Sequence, residues 1–392
     1  MWAILSCLSS SHVLCVLAGF LAGVLAPQCQ WPNIRFTRQT AATEDGWGFG
    51  KRNDRLYGLE HGKLNLELPP KSMWMNMGFW RDTDDFPTAC QALLVEVLKK
   101  AKLLEDDTGK GKSPTTTPPK LRSGLKRLSI LDLGFGCGDQ TAYLVQLARI
   151  PLKYVGITLN YRQYRFAQNR LGPSCSSSDK GNKRDVQLFC EDAARTGSWP
   201  EGLRSAVSSL HNNNATDHQN TKKNNNNNNQ SPAEETWVLA LDSLYHFHPS
   251  RQPVLSLAAQ DLNASVMAFD LLVSDSASWH QRWALKVVAW LGDCPVGHGG
   301  PFLTRARYAE MLVAAGYDPD RIELHDVTGD VFEPLARYMR RRGGELGDVG
   351  LGSLGSLNVA RMVFGWWARS GVLEAVIVVA RKASSPDAKG KA

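Results

Sequence analysis

The 392-residue chain lacks the cysteine patterns of a disulfide scaffold or a zinc protein. Its eight cysteines include no C-x-x-C pair and no Cys/His cluster with the spacing of zinc ligands. Cys137 and Cys190 lie at predicted strand ends, a distribution typical of buried free thiols in a reducing compartment. We therefore predict no metal site.

A strong charge of one sign is also missing. The formal net charge is +7, and the basic residues are scattered apart from short clusters such as Arg340–Arg342. Because a nucleic-acid surface needs clustered positive charge, we predict no nucleic-acid partner. A hydrophobic content of 43% and a charged content of 21% describe an ordinary globular protein. The length suffices for one large domain with appendages, or for two domains.

Charge is absent altogether between Ala3 and Ala26. The apolar stretch is long enough for a spanning helix, which needs about 20 residues. It lacks the basic region that opens a secretory signal, and positive charges follow it instead, at Arg35 and Arg38. By the positive-inside rule, the rest of the chain faces the cytosol. We predict an N-terminal hydrophobic helix that anchors the protein in the endoplasmic reticulum or another endomembrane; a cleaved signal peptide is the alternative.

Composition divides the rest of the chain. Residues 31–71 are polar and glycine-rich, which is typical of a linker or N-terminal arm, and we predict one main domain over residues 72–382 with a disordered tail at 383–392. Two biased segments interrupt that domain, a proline-rich loop at 106–123 and an asparagine-rich loop at 211–235, and both are predicted to be disordered. Cap elements are expected at 276–320 and 331–370.

Short apolar runs alternate with helical patterns through the main domain. We predict seven strands, at Leu128–Leu133, Tyr154–Ile157, Val186–Phe189, Trp237–Leu241, Ser265–Val273, Arg321–Asp326 and Val372–Ala380. Such alternation implies crossover connections and parallel strands. The predicted fold class is therefore α/β, a Rossmann-like, mainly parallel, seven-stranded sheet with helices on both faces.

The first predicted strand runs into a glycine turn, ILDLGFGCGDQT, in which Gly134, Gly136 and Gly138 alternate with larger residues. No lysine follows the glycines, so the turn is not a P-loop. The G-x-G-x-G spacing also differs from the G-x-G-x-x-G of dinucleotide-binding folds, and Thr158 stands where those folds offer a carboxylate. The turn is suited to close backbone approach by a ligand that has no pyrophosphate.

The segment Asp132–Gly138 resembles the first motif of the class I S-adenosylmethionine-dependent methyltransferases. Further segments resemble later motifs of that family in the same order, with a likeness to the sterol and cyclopropane-synthase branch of small-molecule enzymes, of fungal type. These segments are MNMGFW (Met75–Trp80), YVGITLNYRQYRFAQNRL (Tyr154–Leu171), LFCEDAA (Leu188–Ala194), ALDSLYHF (Ala240–Phe247) and HDVTGDVFEPLARYM (His325–Met339).

The resemblance implies S-adenosyl-L-methionine as cofactor and assigns residues to it. The cofactor-binding residues would be Asp132, Gly134, Gly136, Gly138, Thr158, Asn160, Gln163, Asp192, Ala193, Phe79 and Trp80. In this family the aspartate after the third strand holds the adenine amino group. Phe79 and Trp80 would cover the cofactor and contact its sulfonium through their rings. The family often has Tyr at the position of Phe79, so this chain lacks the hydroxyl that the family has there.

The catalytic candidates are His246, as a base for the acceptor proton, and Tyr245 beside it. Several of the assigned residues have a structural alternative. Thr158, Asn160 and Gln163 also fit an ordinary helix cap, and Asp192 fits a cap of the next helix. His246 equally fits a histidine that is hydrogen-bonded within its loop and orients Tyr245.

Two aromatic segments bear on the methyl acceptor: WHQRWALKVVAW (Trp279–Trp290) and VFGWWARSG (Val363–Gly371). Aromatic residues at helical spacing are most often core residues, but tryptophan with Arg and Lys also suits a membrane interface. Together with the predicted anchor, this favours a small lipophilic acceptor, such as a sterol, prenyl or fatty compound, and a membrane partner. Methylation of a polar small molecule or a protein, and an inactive cofactor-binding module, are the alternatives.

Overall fold

The computed structural model describes residues 67–105, 119–172, 178–179, 182–211, 233–291, 302–349, 351–352, 354–355 and 357–382. The predicted anchor at 1–30 and tail at 383–392 lie outside the described residues, as does most of the predicted arm and of both predicted loops. Within the described ranges, no helix combines the length and the apolar character that a membrane crossing requires.

Strands and helices alternate along the described chain. The strands are β1 (Leu125–Leu133), β2 (Leu152–Thr158), β3 (Ser178–Asp179), β4 (Asn182–Cys190), β5 (Ala233–Leu241), β6 (Ser265–Val273), β7 (Ile322–Asp326) and β8 (Leu373–Ala380). The helices are α1 (Phe86–Lys100), α2 (Asp139–Leu147), α3 (Tyr161–Leu171), α4 (Glu201–Ser209), α5 (Gln252–Ser256), α6 (Trp279–Leu291), α7 (Arg305–Ala315), α8 (Phe332–Asp348) and α9 (Leu357–Ser370).

The strands form one sheet in the order β3-β4-β2-β1-β5-β6-β8-β7. Adjacent pairs from β4 to β6 are parallel, whereas β8 runs antiparallel to both of its neighbours. The two-residue β3 adds a short antiparallel pairing at the β4 edge. All seven predicted strands are present, so the prediction of a mainly parallel, seven-stranded sheet is confirmed.

The central strands are almost wholly buried, which explains their continuous apolar runs. All nine residues of β6 are buried, as are seven of the eight in β8. One face of the sheet packs against α4, α5 and α7, with Leu203, Val254 and Leu312 among the core residues. Gly156 in β2 is required by packing, because a Cβ there would lie 2.8 Å from the ring of Phe135. The sheet therefore fixes the position of the glycine turn that contains Phe135.

Two predicted loop boundaries are corrected by the sheet. β5 begins at Ala233, so the last residues of the predicted loop 211–235 belong to a strand. Leu121, inside the predicted loop 106–123, forms an antiparallel bridge with Leu104. Arg122 and Glu235 form an ion pair that joins the described ends of the two segments. At the boundary of the asparagine-rich loop the reason is that Glu234 and Glu235 are polar yet pair with β1.

The chain divides into two compact units. The larger comprises residues 72–332 and 371–392 and contains the whole sheet. The smaller comprises residues 1–71 and 333–370, and its described part includes α9 and nearly all of α8. Phe364 and Trp367 of α9 are buried, with ring centroids 5.5 Å apart, so the second aromatic segment packs as a helix core.

Candidate active site

The predicted site residues of the larger unit lie at the carboxyl ends of β1, β2, β4 and β5, apart from Phe79 and Trp80, which precede α1. In the sheet, β2 and then β4 lie on one side of β1, and β5 lies on its other side. Strand order therefore reverses between β1 and β5. In open α/β sheets, the crevice outside the strand ends at such a switch point is where ligands bind.

The glycine turn that follows β1 has left-handed backbone at all three glycines. The φ angles are +108° at Gly134, +61° at Gly136 and +87° at Gly138. Packing also requires two of them, because a Cβ at Gly134 would lie 2.9 Å from the Cβ of Ser243, and one at Gly138 would lie 3.0 Å from the Cβ of Ala167. A Cβ at Gly136 would meet only Met75, at the ordinary contact distance of 3.6 Å. Packing therefore explains the glycines at 134 and 138, whereas at Gly136 only the positive φ favours glycine.

Asp132, predicted as a cofactor residue, lies inside the protein with none of its surface exposed. Its carboxylate accepts hydrogen bonds from Gln140 Nε2, at 2.8 and 2.7 Å, and from the Tyr154 hydroxyl. Thr141 extends this network through a 2.8 Å contact with the same hydroxyl. Burial raises the pKa of Asp132 to about 7, against the opposing effect of these hydrogen bonds. In the structure, Asp132 therefore links β1 to α2 and β2 by buried hydrogen bonds.

Thr158, Asn160 and Gln163 come together at the start of α3. The Thr158 hydroxyl donates to Gln163 Oε1 at 2.9 Å. The side chain of Asn160 accepts from the amides of Arg162 and Gln163 and caps the helix. Between them Leu159 is 74% exposed. The cap predicted as the structural alternative is thus present, and it presents polar and apolar groups at the same strand end.

Asp192 and Ala193 follow β4 and lie beside this group. The amide of Glu191 donates to the carbonyl of Thr158 at 3.0 Å, which joins the ends of β2 and β4. The Asp192 carboxylate accepts from the Ala194 amide at 2.9 Å and pairs with Arg195 at 3.2 Å. Ala193 is buried. Asp192 therefore caps the turn that follows β4 and not the next helix, which was the predicted alternative, and its side chain stays partly exposed.

The turn after β5 begins with Asp242, whose φ of +65° bends the chain sharply. Asp242 Oδ1 accepts from the Tyr245 hydroxyl at 2.7 Å, and the backbone of Met77 also hydrogen-bonds to this carboxyl. Burial raises the pKa of Asp242 to about 7. Ser243 joins this turn to the neighbouring strand, because its hydroxyl donates to the carbonyl of Leu133 at 2.5 Å. The ends of β1 and β5 are thus directly connected.

His246 closes the single helical turn Leu244–His246. Its ring lies against the buried Tyr245, with centroids 4.3 Å apart. Burial lowers the pKa of His246 well below its usual value of 6.5, and the positive charge of Arg251 acts in the same direction. The imidazole is therefore neutral at neutral pH, the form that accepts a proton.

The segment before α1 runs along the glycine turn. The amide of Met73 donates to both carboxylate oxygens of Asp139, at 3.2 and 3.1 Å, and Arg170 pairs with the same carboxylate at 2.7 Å. The Met75 sulfur lies 3.8 Å from Cys137 Sγ. Sequence reasoning missed Asp139, although an acid in the first turn of a helix was the available signal.

Phe79 and Trp80, predicted to cover the cofactor, are 6% and 5% exposed. The Trp80 indole donates to the carbonyl of Met77 at 2.8 Å, and the Phe79 amide donates to Ala89 in α1. The cation over the Phe79 ring is Arg81, 4.9 Å from its centroid. The two aromatic side chains therefore have partners within the fold, and the predicted contact with a sulfonium stays a prediction.

A buried ion pair behind the site was also missed. Arg251 and Asp270 lie 2.6 Å apart and are 7% and 0% exposed, and the Tyr308 hydroxyl donates to the same carboxylate at 2.9 Å. Burial of the Asp270 carboxyl raises its pKa, whereas the Arg251 charge lowers it. Asp270 lies in the middle of an apolar strand, which was the only sequence signal.

No protein-family model matches the chain, and no curated protein matches it. Solved structures similar in fold include the cyclopropane synthase MmaA2 from Mycobacterium tuberculosis, with a TM-score of 0.49 and 13% identity over 79% of this chain and 90% of that chain. Phosphoethanolamine N-methyltransferase 2 of Haemonchus contortus, in complex with S-adenosyl-L-methionine, gives 0.48 and 13% over 76% and 53%. Geranyl diphosphate C-methyltransferase of Streptomyces coelicolor gives 0.42 and 13% over 76% and 81%.

Proposed function

We propose that the chain is an S-adenosyl-L-methionine-dependent methyltransferase, with the cofactor bound across the carboxyl ends of β1, β2, β4 and β5. The observation that carries the proposal is the turn Gly134–Gly138 at the point where strand order reverses. Gly134 and Gly138 are needed by packing, but Gly136 has room for a Cβ beside its backbone. A glycine at that position gives a ligand access to the main chain.

The donor set at the neighbouring strand ends fits this cofactor. The side chains of Asn160 and Gln163 supply polar groups of the kind that bind ribose hydroxyls. The exposed Leu159 offers an apolar surface to a planar base, and the partly exposed Asp192 carboxylate accepts from an amine. No lysine or arginine lies in the turn itself, which suits a ligand without phosphate.

The residues at the end of β5 would serve the transfer. S-adenosyl-L-methionine supplies an activated methyl group when bound, so the protein has mainly to align the acceptor and exclude water. The Asp242–Tyr245 hydrogen bond fixes the turn that carries His246. Because burial keeps the His246 imidazole neutral, Nδ1 or Nε2 is able to take a proton from the acceptor.

The acceptor we propose is small and lipophilic, a sterol, prenyl or fatty compound, as in the sterol and cyclopropane-synthase branch. Helix α6 supports this, because Trp279 and Trp283 are 71% and 54% exposed on it. They lie four residues apart, on one face of the helix, with the exposed Lys286 one turn further on. Tryptophan beside lysine is typical of a surface at a membrane interface. The N-terminal anchor in an endomembrane belongs to the same proposal.

His246→Ala tests the enzymatic role with methyl-labelled S-adenosyl-L-methionine and ergosterol, farnesol and oleic acid as acceptors. We expect labelled product from the full chain, with turnover lowered about 100-fold in the variant and cofactor affinity retained. His248→Ala is a matched control, because its side chain is exposed two residues away. A chain that binds the cofactor but labels no sterol, prenyl or fatty acceptor would contradict the lipophilic assignment. Full activity of His246→Ala would make that histidine structural.

A further inference from the structure

Asp242 is a carboxyl group held in one orientation at the switch point of the sheet. Its Oδ1 accepts from the Tyr245 hydroxyl, and the Met77 backbone binds the same group from the segment before α1. The following residue, Ser243, lies against Gly134 of the glycine turn. The residue as a whole is partly exposed. The carboxyl therefore lies beside the crevice in which the proposed cofactor binds.

The groups that face Asp242 leave its charge without compensation among the described residues. Tyr245 and His246, on its own turn, are neutral at neutral pH, and burial raises the pKa of the Cys90 thiol in α1, which is neutral too. From β6 comes Asp270, whose charge is matched by Arg251 at 2.6 Å. Within the described ranges, no lysine or arginine forms an ion pair with Asp242.

A buried carboxyl in this setting responds to the charge of whatever binds beside it. Burial disfavours the anion, whereas a cation within about 4–6 Å favours it and lowers the pKa. The methyl donor has a positively charged sulfonium, and the product of methyl transfer is a neutral thioether. The two ligands are otherwise nearly the same in shape. A group whose interaction depends on the ligand's charge would therefore bind them with different affinities.

We propose that Asp242 pairs with the positive charge of the methyl donor and so makes the site prefer S-adenosyl-L-methionine over S-adenosyl-L-homocysteine. This rests on the proposed function, because it takes the methyl donor as the ligand of the crevice. The Tyr245 hydroxyl and the Met77 backbone orient the carboxyl by hydrogen bonds, and the ligand would meet it from the crevice. After transfer the positive charge is gone and the product loses this contact, which favours its release.

The pH dependence follows from linkage. Without ligand the pKa of Asp242 is raised by burial to about 7, and a cationic ligand lowers it. Binding the donor below pH 7 therefore expels a proton, so donor affinity rises with pH and levels off above about 7. The homocysteine product lacks the charge and does not share this dependence. Both ligands have the same amino and carboxylate groups, so the ratio of their dissociation constants isolates Asp242.

The experiment is calorimetric titration of the full chain with S-adenosyl-L-methionine and S-adenosyl-L-homocysteine between pH 6 and 8. We expect the ratio of product to donor dissociation constants to rise about 10-fold over that range, as one titrating group allows. Asp242→Asn should flatten the ratio, weakening donor binding about 10-fold and product binding less than about 2-fold. Asp275→Asn, which removes an exposed carboxylate after β6, is the matched control and should behave as the unaltered chain.

Tyr245→Phe provides a second variant that keeps Asp242 in place. It removes the hydrogen bond that favours the anion, so the midpoint of the pH dependence should move upward. A ratio that is independent of pH in the unaltered chain, or equal weakening of both ligands by Asp242→Asn, would overturn the proposal for Asp242 alone. Failure of the unaltered chain to bind either ligand would overturn the proposed function itself.

Discussion

The ends of β1 and β5 are neighbours in the sheet and are built from similar parts, yet they differ in access to solvent. Each strand has an aspartate at or next to its end, Asp132 before the last residue of β1 and Asp242 directly after β5. Each aspartate accepts from a tyrosine hydroxyl, and burial raises its pKa to about 7. Asp132 has none of its surface exposed, whereas Asp242 is partly exposed. The Asp132 carboxyl therefore has a structural role, whereas we propose that the Asp242 carboxyl is available to a ligand.

The difference arises from the elements that follow each strand. After β1 the chain turns through three glycines into α2, whose first turn places Gln140 over the Asp132 carboxylate. After β5 it forms only a single turn, Leu244–His246, and the carboxyl is held by Tyr245 from within that turn. The nine-residue helix α2 therefore covers Asp132, whereas the three-residue turn after β5 leaves Asp242 partly exposed.

Removing each carboxyl is the strongest way to separate the two regions. Asp132→Ala leaves the buried donors of Gln140 and Tyr154 without their acceptor, so we expect the free energy of unfolding to fall by about 3 kcal/mol. Asp242→Ala should cost about 1 kcal/mol, because water reaches its site. Urea unfolding of both variants measures the difference. Equal losses would show that the two carboxyls have the same structural role.

The pH dependence of stability gives a smaller effect that sharpens the comparison. The pKa of each carboxyl is about 7 in the folded chain and about 3.9 when unfolded. Between pH 4 and 7 the folded state holds protons that the unfolded state has released, so the free energy of unfolding falls as pH rises. One such group contributes up to about 1.4 kcal/mol per pH unit.

Asp132→Asn should remove its share of this slope, both with and without S-adenosyl-L-methionine. The share that belongs to Asp242 should diminish when saturating S-adenosyl-L-methionine is present, since the ligand lowers the pKa of that group. Chemical unfolding at intervals from pH 4 to 7 measures both. An unchanged slope in Asp132→Asn would mean that this carboxyl is ionised in the folded protein at pH 5.

The sequence predicted the sheet well because its central strands are buried on both faces and read as continuous apolar runs. Strand ends were less well predicted: β4 begins at Asn182 and β5 at Ala233, where polar residues pair with neighbouring strands. All three glycines of the turn have positive φ, which favours glycine, and packing also excludes a Cβ at Gly134 and Gly138. The pattern alone also predicts a site at the ends of these strands, and that site stays a prediction.

The sequence did not predict which partners the side chains of the site contact. The motif assigned Asp132 to the cofactor. In the structure its carboxylate accepts a hydrogen bond from Gln140, eight residues later in the first turn of α2. Phe79 and Trp80 were predicted to cover the cofactor; in the structure the Phe79 amide donates to Ala89 of α1 and the Trp80 indole donates to Met77, and their contact with a cofactor stays a prediction. Asp242 gave only a weak signal, because its importance depends on Tyr245, Met77 and the absence of a nearby described cation. Such features depend on contacts that only the folded chain defines.

Calorimetric titration of Gly136→Val with S-adenosyl-L-methionine tests the central claim most directly. The φ of +61° and the space beside Gly136 leave the main chain open to a ligand, and a branched side chain would block that approach. Gly172→Val is the matched control, since Gly172 has a φ of +56° and no atom near its Cβ position at the end of α3. We predict that the unaltered chain and Gly172→Val bind the cofactor, whereas Gly136→Val stays folded and does not; unchanged affinity in Gly136→Val would contradict the site.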